Sequence, residues 1–261
     1  MLATAPVVSG VHVDSVGNVY VAGYVESGLS GFRKYSPGGS ILLDVTTGFR
    51  TDDVVTGSDG TIFATDYFGG DIYRYSAAGA SLGLFAALPL QRAAFIEIDS
   101  VGNLYTTGWR DGVVRKVSPS GVDLGNFISG LPVGVSTGVM GVALDPAENV
   151  YVSLSTDNTV RKYGPDGDSL GIFASTGLSD PMGMDFDADG NLYVANRGND
   201  TIRKFSPTGA DLGNFAATGL ADPSDIAISP IPEPPVIAGL VMVMAACVPW
   251  VRRCRSEAAS R

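Results

Sequence analysis

One line of sequence keeps returning along this chain. From Gly10 it reads GVHVDSVGNVYVAG, from Asp53 DVVTGSDGTIFATD, from Phe95 FIEIDSVGNLYTTG, from Gly141 GVALDPAENVYVSL and from Gly183 GMDFDADGNLYVAN, and a further opening, DIAISP, starts at Asp225. The steps between starts are 43, 42, 46, 42 and 42 residues. Units of this length are blades of a propeller or turns of a solenoid, which cannot bury their apolar faces alone and must stack.

Inside each unit the pattern is that of strands. A first apolar stretch is followed by D-x-x-G-N, in which Asp14, Asp99 or Asp187 can bond the backbone two residues on and Gly17, Gly102 or Gly190 can take positive φ. A second run, N-[VL]-Y-V-A, clusters β-branched and aromatic residues. A third follows as FRKYSP, IYRYSA, VRKVSP, VRKYGP and IRKFSP, and a short fourth as LGLF, LGNF, LGIF and LGNF. With 34 Gly and 15 Pro in 261 residues and no 3.6-residue periodicity, a helical bundle is excluded. The expected fold is all-β: a propeller of four-stranded antiparallel blades over residues 1–230, with repeats at 10–52, 53–94, 95–140, 141–182 and 183–224 and a partial sixth at 225–231.

The unit from Gly183, GMDFDADGNLYVANRGNDTIRKFSPTGADLGNF, resembles an NHL repeat, whose pattern runs apolar strand, D-x-x-G-N, Y-V-A-D, G-N-x-x-I, a further apolar strand and a Pro-Asp-Gly turn. The second unit departs most, with Thr61 and Phe63 in place of Asn and Tyr. The resemblance implies a ring, usually of six blades, and no single activity, since the scaffold hosts binding modules, lyases and lactonases. Only the first strand of a sixth blade is evident at Asp225–Ser229, and Met1–Gly10 aligns on Ala174–Gly183, so the chain reads as beginning inside a fourth strand. The expectation is an authentic start upstream, which would also supply the export signal that MLATAPVVSG lacks.

After Pro230 the composition changes to IPEPPVIAGLVMVMAACVPWVRRCRSEAASR. Residues 236–251 are uncharged and largely apolar, and Arg252, Arg253 and Arg255 follow at once. This reads as a short transmembrane helix with its basic stop in the cytoplasm and the ring outside. The segment 231–261 resembles the PEP-CTERM sorting signal, with Pro232, Glu233 and Pro234 as the triplet ahead of the apolar span and the arginines. That resemblance implies processing by exosortase, a membrane-embedded transpeptidase, and placement at the cell surface or in the extracellular polymer matrix of a bacterium. Pro235, Pro249 and the residues beyond the arginines depart from the pattern.

Chemistry is sparse by comparison. Both cysteines, Cys247 and Cys254, lie in the tail, so the body has no disulfide framework and no thiolate zinc site or nucleophile. A net charge of −10 argues against nucleic acid as a partner. The sole histidine, His12, sits in mid first strand, and the matching places in other units hold Glu97 and Asp185. These three can converge near the ring axis and take a divalent cation, as in metal-dependent lactonases built on propellers, or simply line a solvated bore. The recurrent Arg-Lys pairs at Arg33, Arg115, Arg161 and Arg203 read as solvated blade edges, and Asp187–Asn191 as a hairpin turn rather than a calcium loop. The loops between second and third strands differ most, carrying Tyr24, Tyr67 and Phe68, Trp109 and Arg110, and Arg197, which gather on one rim suited to a sugar or protein ligand. The expectation is therefore an exported propeller that is not an enzyme and needs no cofactor, binding an exopolysaccharide or an envelope protein. The alternative is a metal-dependent lactonase or lyase using the channel residues, although the W-F-T-E strands usual in propeller lyases are absent.

Overall fold

The computed structural model describes residues 8–24, 30–134, 138–229 and 241–245, the side chains of Tyr24 and of 241–245 excepted. Five antiparallel sheets of four strands each follow one another. Blade 1 is β1 (Val8–Val13), β2 (Val19–Tyr24), β3 (Ser30–Tyr35) and β4 (Ile41–Thr46); blade 2 is β5 (Thr51–Thr56), β6 (Ile62–Asp66), β7 (Ile72–Tyr75) and β8 (Ser81–Ala86). Blade 3 is β9 (Ala93–Ile98), β10 (Leu104–Gly108), β11 (Val113–Val117) and β12 (Asp123–Ile128); blade 4 is β13 (Val139–Leu144), β14 (Val150–Leu154), β15 (Thr159–Tyr163) and β16 (Ser169–Ala174). Blade 5 is β17 (Pro181–Phe186), β18 (Leu192–Asn196), β19 (Thr201–Phe205) and β20 (Asp211–Ala216). A two-stranded sheet, β21 (Pro223–Ile228) and β22 (Val241–Ala245), takes the sixth place. Each inner strand starts two residues ahead of the sequence repeat.

The inner strands β1, β5, β9, β13, β17 and β21 pack side by side, and β21 meets both β17 and β1, so the ring closes. Closure runs through side chains: Asp225 Oδ2 accepts the Val11 N–H at 2.8 Å and the Ser224 hydroxyl donates to the Val8 carbonyl at 3.2 Å. Second strands are covered on both faces by neighbouring blades, which is why β10, β14 and β18 are buried at every residue. Leu104, Leu154 and Leu192 are wholly buried there, each contributing about 2 kcal/mol of transfer free energy. Outermost strands show Leu82, Leu84, Leu124, Leu170, Ile172 and Leu212 to solvent. In blades 2 to 5 the middle of that strand is a glycine at positive φ, Gly83, Gly125, Gly171 or Gly213, and the pairing register slips beside it.

The D-x-x-G-N hairpins close as expected. In blade 5, Asp187 Oδ1 accepts the Asn191 N–H at 2.8 Å, while Oδ2 takes the Asn191 amide, the Tyr193 hydroxyl and Lys204 at 2.9, 3.1 and 3.2 Å. The same Asp–Asn–Tyr–Lys buckle is built from Asp14, Asn18, Tyr20 and Lys34, from Asp99, Asn103, Tyr105 and Lys116, and from Asp145, Asn149, Tyr151 and Lys162. The Arg-Lys pairs are accordingly not solvated edges. Each lysine joins the buckle, and each arginine meets an acid beside it: Arg33 with Asp44, Arg115 with Asp123, Arg161 with Asp157 and Arg203 with Asp211.

The helix expected over 236–251 is not formed in its described part. Val241–Ala245 is β22, antiparallel to β21 with Ile226 opposite Val243. The reason is local: VMVMA is rich in β-branched residues, and β21 would otherwise present an unpaired edge. Among the described residues no helix is long and apolar enough to cross a membrane. The rest of the span, Pro232, Glu233, Pro234, Arg252, Arg253 and Arg255 lie outside the described residues.

Candidate functional site

On one face of the ring, the residue preceding an inner strand pairs by backbone with the first residue of the same blade's loop after the second strand. Tyr67 N donates to Arg50 O at 2.9 Å, Trp109 N to Arg92 O at 3.1 Å, Ser155 N to Gly138 O at 3.1 Å and Arg197 N to Asp180 O at 3.2 Å. Side chains at these two places therefore stand next to one another, and blades 2 and 3 fill them with arginine and an aromatic. The result is a layered stack. The Arg50 guanidinium lies 4.0 Å from the Tyr67 ring centroid, Arg92 lies 5.2 Å from Tyr67 and 4.7 Å from Trp109, and Arg110 lies 5.2 Å from Trp109. The Tyr67 and Trp109 rings are themselves 6.2 Å apart and 30° from parallel.

Polar contacts fix the stack. Arg92 Nη1 donates to the Tyr67 hydroxyl at 3.0 Å and Arg50 Nε to Asp52 Oδ1 at 2.7 Å. Burial, with the charge of Asp52 behind it, pushes the Tyr67 phenol up, so it stays a neutral hydroxyl accepting from Arg92. Tyr67 is 8% exposed and Phe68, edge-on to it at 5.0 Å, is 62% exposed. Guanidinium groups over aromatic faces gain about 0.5–2 kcal/mol each, and the half-buried stack leaves Phe68 and Arg110 exposed at its edge. Tyr67, Phe68, Trp109 and Arg110 are thus brought together. Arg197 stands apart in blade 5, paired with Asp180 at 2.9 Å, and the Tyr24 side chain lies outside the described residues. Arg50 and Arg92 had a signal in the sequence: both immediately precede an inner strand, where later units have Gly138, Asp180 and Asp222.

The axis is lined differently. Each inner strand bulges near its third residue, which is Asp53 in β5 and Asp225 in β21. Asp53 Oδ1 accepts its own Val54 N–H at 2.8 Å and Oδ2 the next blade's Ile96 N–H at 3.0 Å. Asp225 does the same with Ile226 at 2.9 Å and Val11 at 2.8 Å, and Asp185 with Phe186 and Ile228, both at 2.7 Å. His12 Nε2 bonds Thr56 of the next blade, at 2.8 Å to its hydroxyl and 3.3 Å to its N–H. These groups serve backbone donors on the unpaired edges of inner strands, stitching blade to blade. Gly10 and Gly183 make the room, since a Cβ at either would strike the following Asp53 or Asp225.

Burial pushes Glu97 up to about 8, with the charge of Asp185 adding to it, and raises Asp185 to about 6. Asp53 and Asp225 are pushed well above the usual range by burial and by each other or the remaining acids. Burial presses the His12 imidazole down to about 4. Asp53 and Asp225 were not among the residues expected at the axis; their signal was an Asp at the third place of the inner strand where the preceding blade has a glycine, Gly10 or Gly183. Among the described residues no group of three or more His, Cys, Asp or Glu side chains is arranged to hold a metal ion.

No protein-family model matches the chain, and no curated protein matches it in sequence. Solved structures do. Virginiamycin B lyase from Staphylococcus aureus is 17% identical, with a TM-score of 0.65 over 85% of this chain and 74% of that one. A chain of the nidogen/laminin complex is 17% identical, with a TM-score of 0.73 over 85% of each. Regucalcin, a calcium-binding protein from Agrobacterium tumefaciens, is 15% identical, with a TM-score of 0.67 over 86% of this chain and 79% of that one. The expectation that the chain is not an enzyme is overturned by this company: a ring of the same build is a lyase, so a sparse set of catalytic motifs does not set this chain apart from enzymes. At these identities the likeness establishes the fold, and the fold is a β-propeller.

Proposed function

We propose that this chain is an exported NHL-type propeller that binds an exopolysaccharide of the cell envelope or matrix through the Arg50–Tyr67–Arg92–Trp109–Arg110 stack. The observation that carries the reading is the stack itself, in which adjacent blades place aromatic faces and guanidiniums in one surface with Phe68 exposed at its margin. Aromatic faces suit the C–H faces of sugar rings, and guanidiniums suit their carboxylate or sulfate substituents. In the same reading the tail is a PEP-CTERM signal. Val241–Ala245 leaves β21 to enter the bilayer as a helix, Arg252, Arg253 and Arg255 stay cytoplasmic, and exosortase cuts near Pro232, Glu233 and Pro234.

Retention on immobilised matrix polysaccharide tests the binding face. Trp109→Ala and Phe68→Ala are expected to weaken retention about tenfold or more, the loss typical of a central aromatic anchor. Equal retention of all three proteins overturns it. The eluted saccharide is weighed in the same assay, because a face that binds is also where a lyase would act. Expression behind a working signal peptide, with and without exosortase, tests the tail by intact mass. A product that keeps its tail in the presence of the transpeptidase overturns the sorting part.

A further inference from the structure

The second residue of the inner strand is Ser9 in β1, Asp52 in β5, Ala94 in β9, Met140 in β13, Met182 in β17 and Ser224 in β21. Only β5 puts a charge there, and its place is beside the stack. Asp52 Oδ1 accepts the Arg50 Nε–H at 2.7 Å, with Ser9 of the preceding blade as a further hydrogen-bonding partner. Arg92 faces the same carboxyl, and Tyr67 feels its charge. The Asp52 side chain is 14% exposed, so water screens its field less than that of a surface acid. The loops around the stack add more carboxylates: Asp66 accepts the Phe68 and Gly69 N–H groups, Asp71 that of Leu88 and Asp111 that of Gln91. Among the described residues of blades 2 and 3 on this face, the three guanidiniums of the stack thus stand with four carboxylates.

We propose that Asp52 sets the charge selectivity of this face, so that it takes a glycan with isolated carboxylates and turns away a densely sulfated one. The inference rests on the stack being a glycan-binding face. A sugar chain whose carboxylates are well spaced can lay one on a guanidinium and keep its apolar ring faces on Phe68 and Trp109. A densely sulfated chain brings many charges at once and meets the acids as well as the arginines, which is discrimination by repulsion. Asp66, Asp71 and Asp111 are occupied with loop N–H groups and form the acidic background. Asp52 alone is paired with a guanidinium of the stack: it fixes Arg50 over Tyr67 and cancels that charge, acting through Arg50 as a positioning residue.

The test first reads the charge with no glycan present. Trp109 and Trp250 are the two tryptophans of the chain, and Trp250→Phe leaves Trp109 as the reporter on this face. At neutral pH and low ionic strength, iodide should quench Trp109 about twofold more strongly in Asp52→Asn than with Asp52 in place, while neutral acrylamide quenches both alike. Asn keeps an acceptor for Arg50 and removes only the charge. Asp52→Ser, the side chain of blades 1 and 6 at this place, serves where Asn does not fold. The second arm measures retention on immobilised hyaluronan, a chain of spaced carboxylates, and on dextran sulfate. Asp52→Asn should raise affinity for dextran sulfate about fivefold and for hyaluronan by clearly less. Equal iodide quenching overturns the proposal and leaves the glycan reading standing, as does an equal gain on both polymers. Raised quenching with neither polymer retained by any of the proteins overturns the glycan reading, and the selectivity with it.

Discussion

Asp185 and Asp187 are two residues apart on the same strand-to-turn segment, and the ring treats their carboxyl groups in opposite ways. Burial pushes Asp187 up too, but Asn191, Lys204 and Tyr193 outweigh it and hold the group below its usual range. Asp185 has only two backbone N–H donors against burial, and it rises to about 6. The first is held as an ion in its hairpin, and the second binds its proton more readily at the axis. The difference teaches that these carboxyls do two kinds of work. Those in the hairpins lock a blade internally with charge, whereas those on the inner strands link one blade to the next by accepting its N–H groups.

The largest expected effect breaks the hairpin side of this comparison. Asp187→Ala leaves the Asn191 amide, the Tyr193 hydroxyl and Lys204 without their shared acceptor, for a loss of roughly 3 kcal/mol at a cost of about 1–3 kcal/mol per orphaned group. Urea unfolding measures it, and a loss no greater than that of Asp185→Asn would contradict the distinction. Blade 2 sharpens the point. It has Gly57, Thr61, Phe63 and Arg74 at the four buckle places, and an edge-on Phe63–Phe85 pair at 4.8 Å with Arg74 over Phe85 at 5.4 Å instead. Converting blade 5 in one step with Asp187→Gly, Asn191→Thr, Tyr193→Phe and Lys204→Arg should therefore cost under about 1 kcal/mol, much less than Asp187→Ala alone, since coupled residues are not additive.

The acidity of the axis gives the next effect. Glu97 and Asp185 bind protons more tightly in the folded ring than in the open chain, so their contribution is full below the usual carboxylate range. It is lost as pH rises through about 6 and about 8. His12, lowered to about 4, acts in the opposite sense: its contribution is present above about 6.5 and lost as pH falls. The hairpin acids Asp14, Asp145 and Asp187 likewise lose theirs as pH falls through the carboxylate range. Between pH 7 and 9 only the axial term remains, so Tm should fall across that interval and Glu97→Gln should flatten the fall. The smallest effect is local. Asp53→Asn should speed amide hydrogen exchange at Ile96, which loses its carboxylate partner in the preceding blade, and leave Ile98, held by Glu97, unchanged.

Much of this was legible before any coordinates. The period of the repeat, the Asp–Gly–Asn turns and the four strand patterns needed only neighbours in sequence, because a hairpin forms from local turn chemistry and alternation. The gathering of Tyr67, Phe68, Trp109 and Arg110 followed from their common place in the repeat. What escaped was set by contacts between units. Arg50 and Arg92 lie before the strand rather than in the variable loop, and only the backbone pairing brings them against Tyr67 and Trp109. Arg115 and Arg203 looked solvated because their acids sit 8 residues on, across a bulged register that the sequence does not display. Asp53 and Asp225 took their meaning from a glycine one blade earlier. The tail was read from its apolar run, the arginines after it and the Pro-Glu-Pro triplet before it, while the strand at Val241–Ala245 depends on an open edge of β21.

The glycines at the centre of the outermost strands have a consequence for crowding. Gly83, Gly125, Gly171 and Gly213 put a left-handed kink in the middle of an outer strand that shows leucines to solvent. A straight strand there would be a template on which a neighbouring molecule could nucleate cross-β stacking. The kink interrupts the run of parallel donors and acceptors after two or three residues, too few for a stable ladder. A molecule that shows leucines on its circumference can therefore accumulate at high local density without setting into fibres, and β4, which has no such glycine, is where that protection is thinnest.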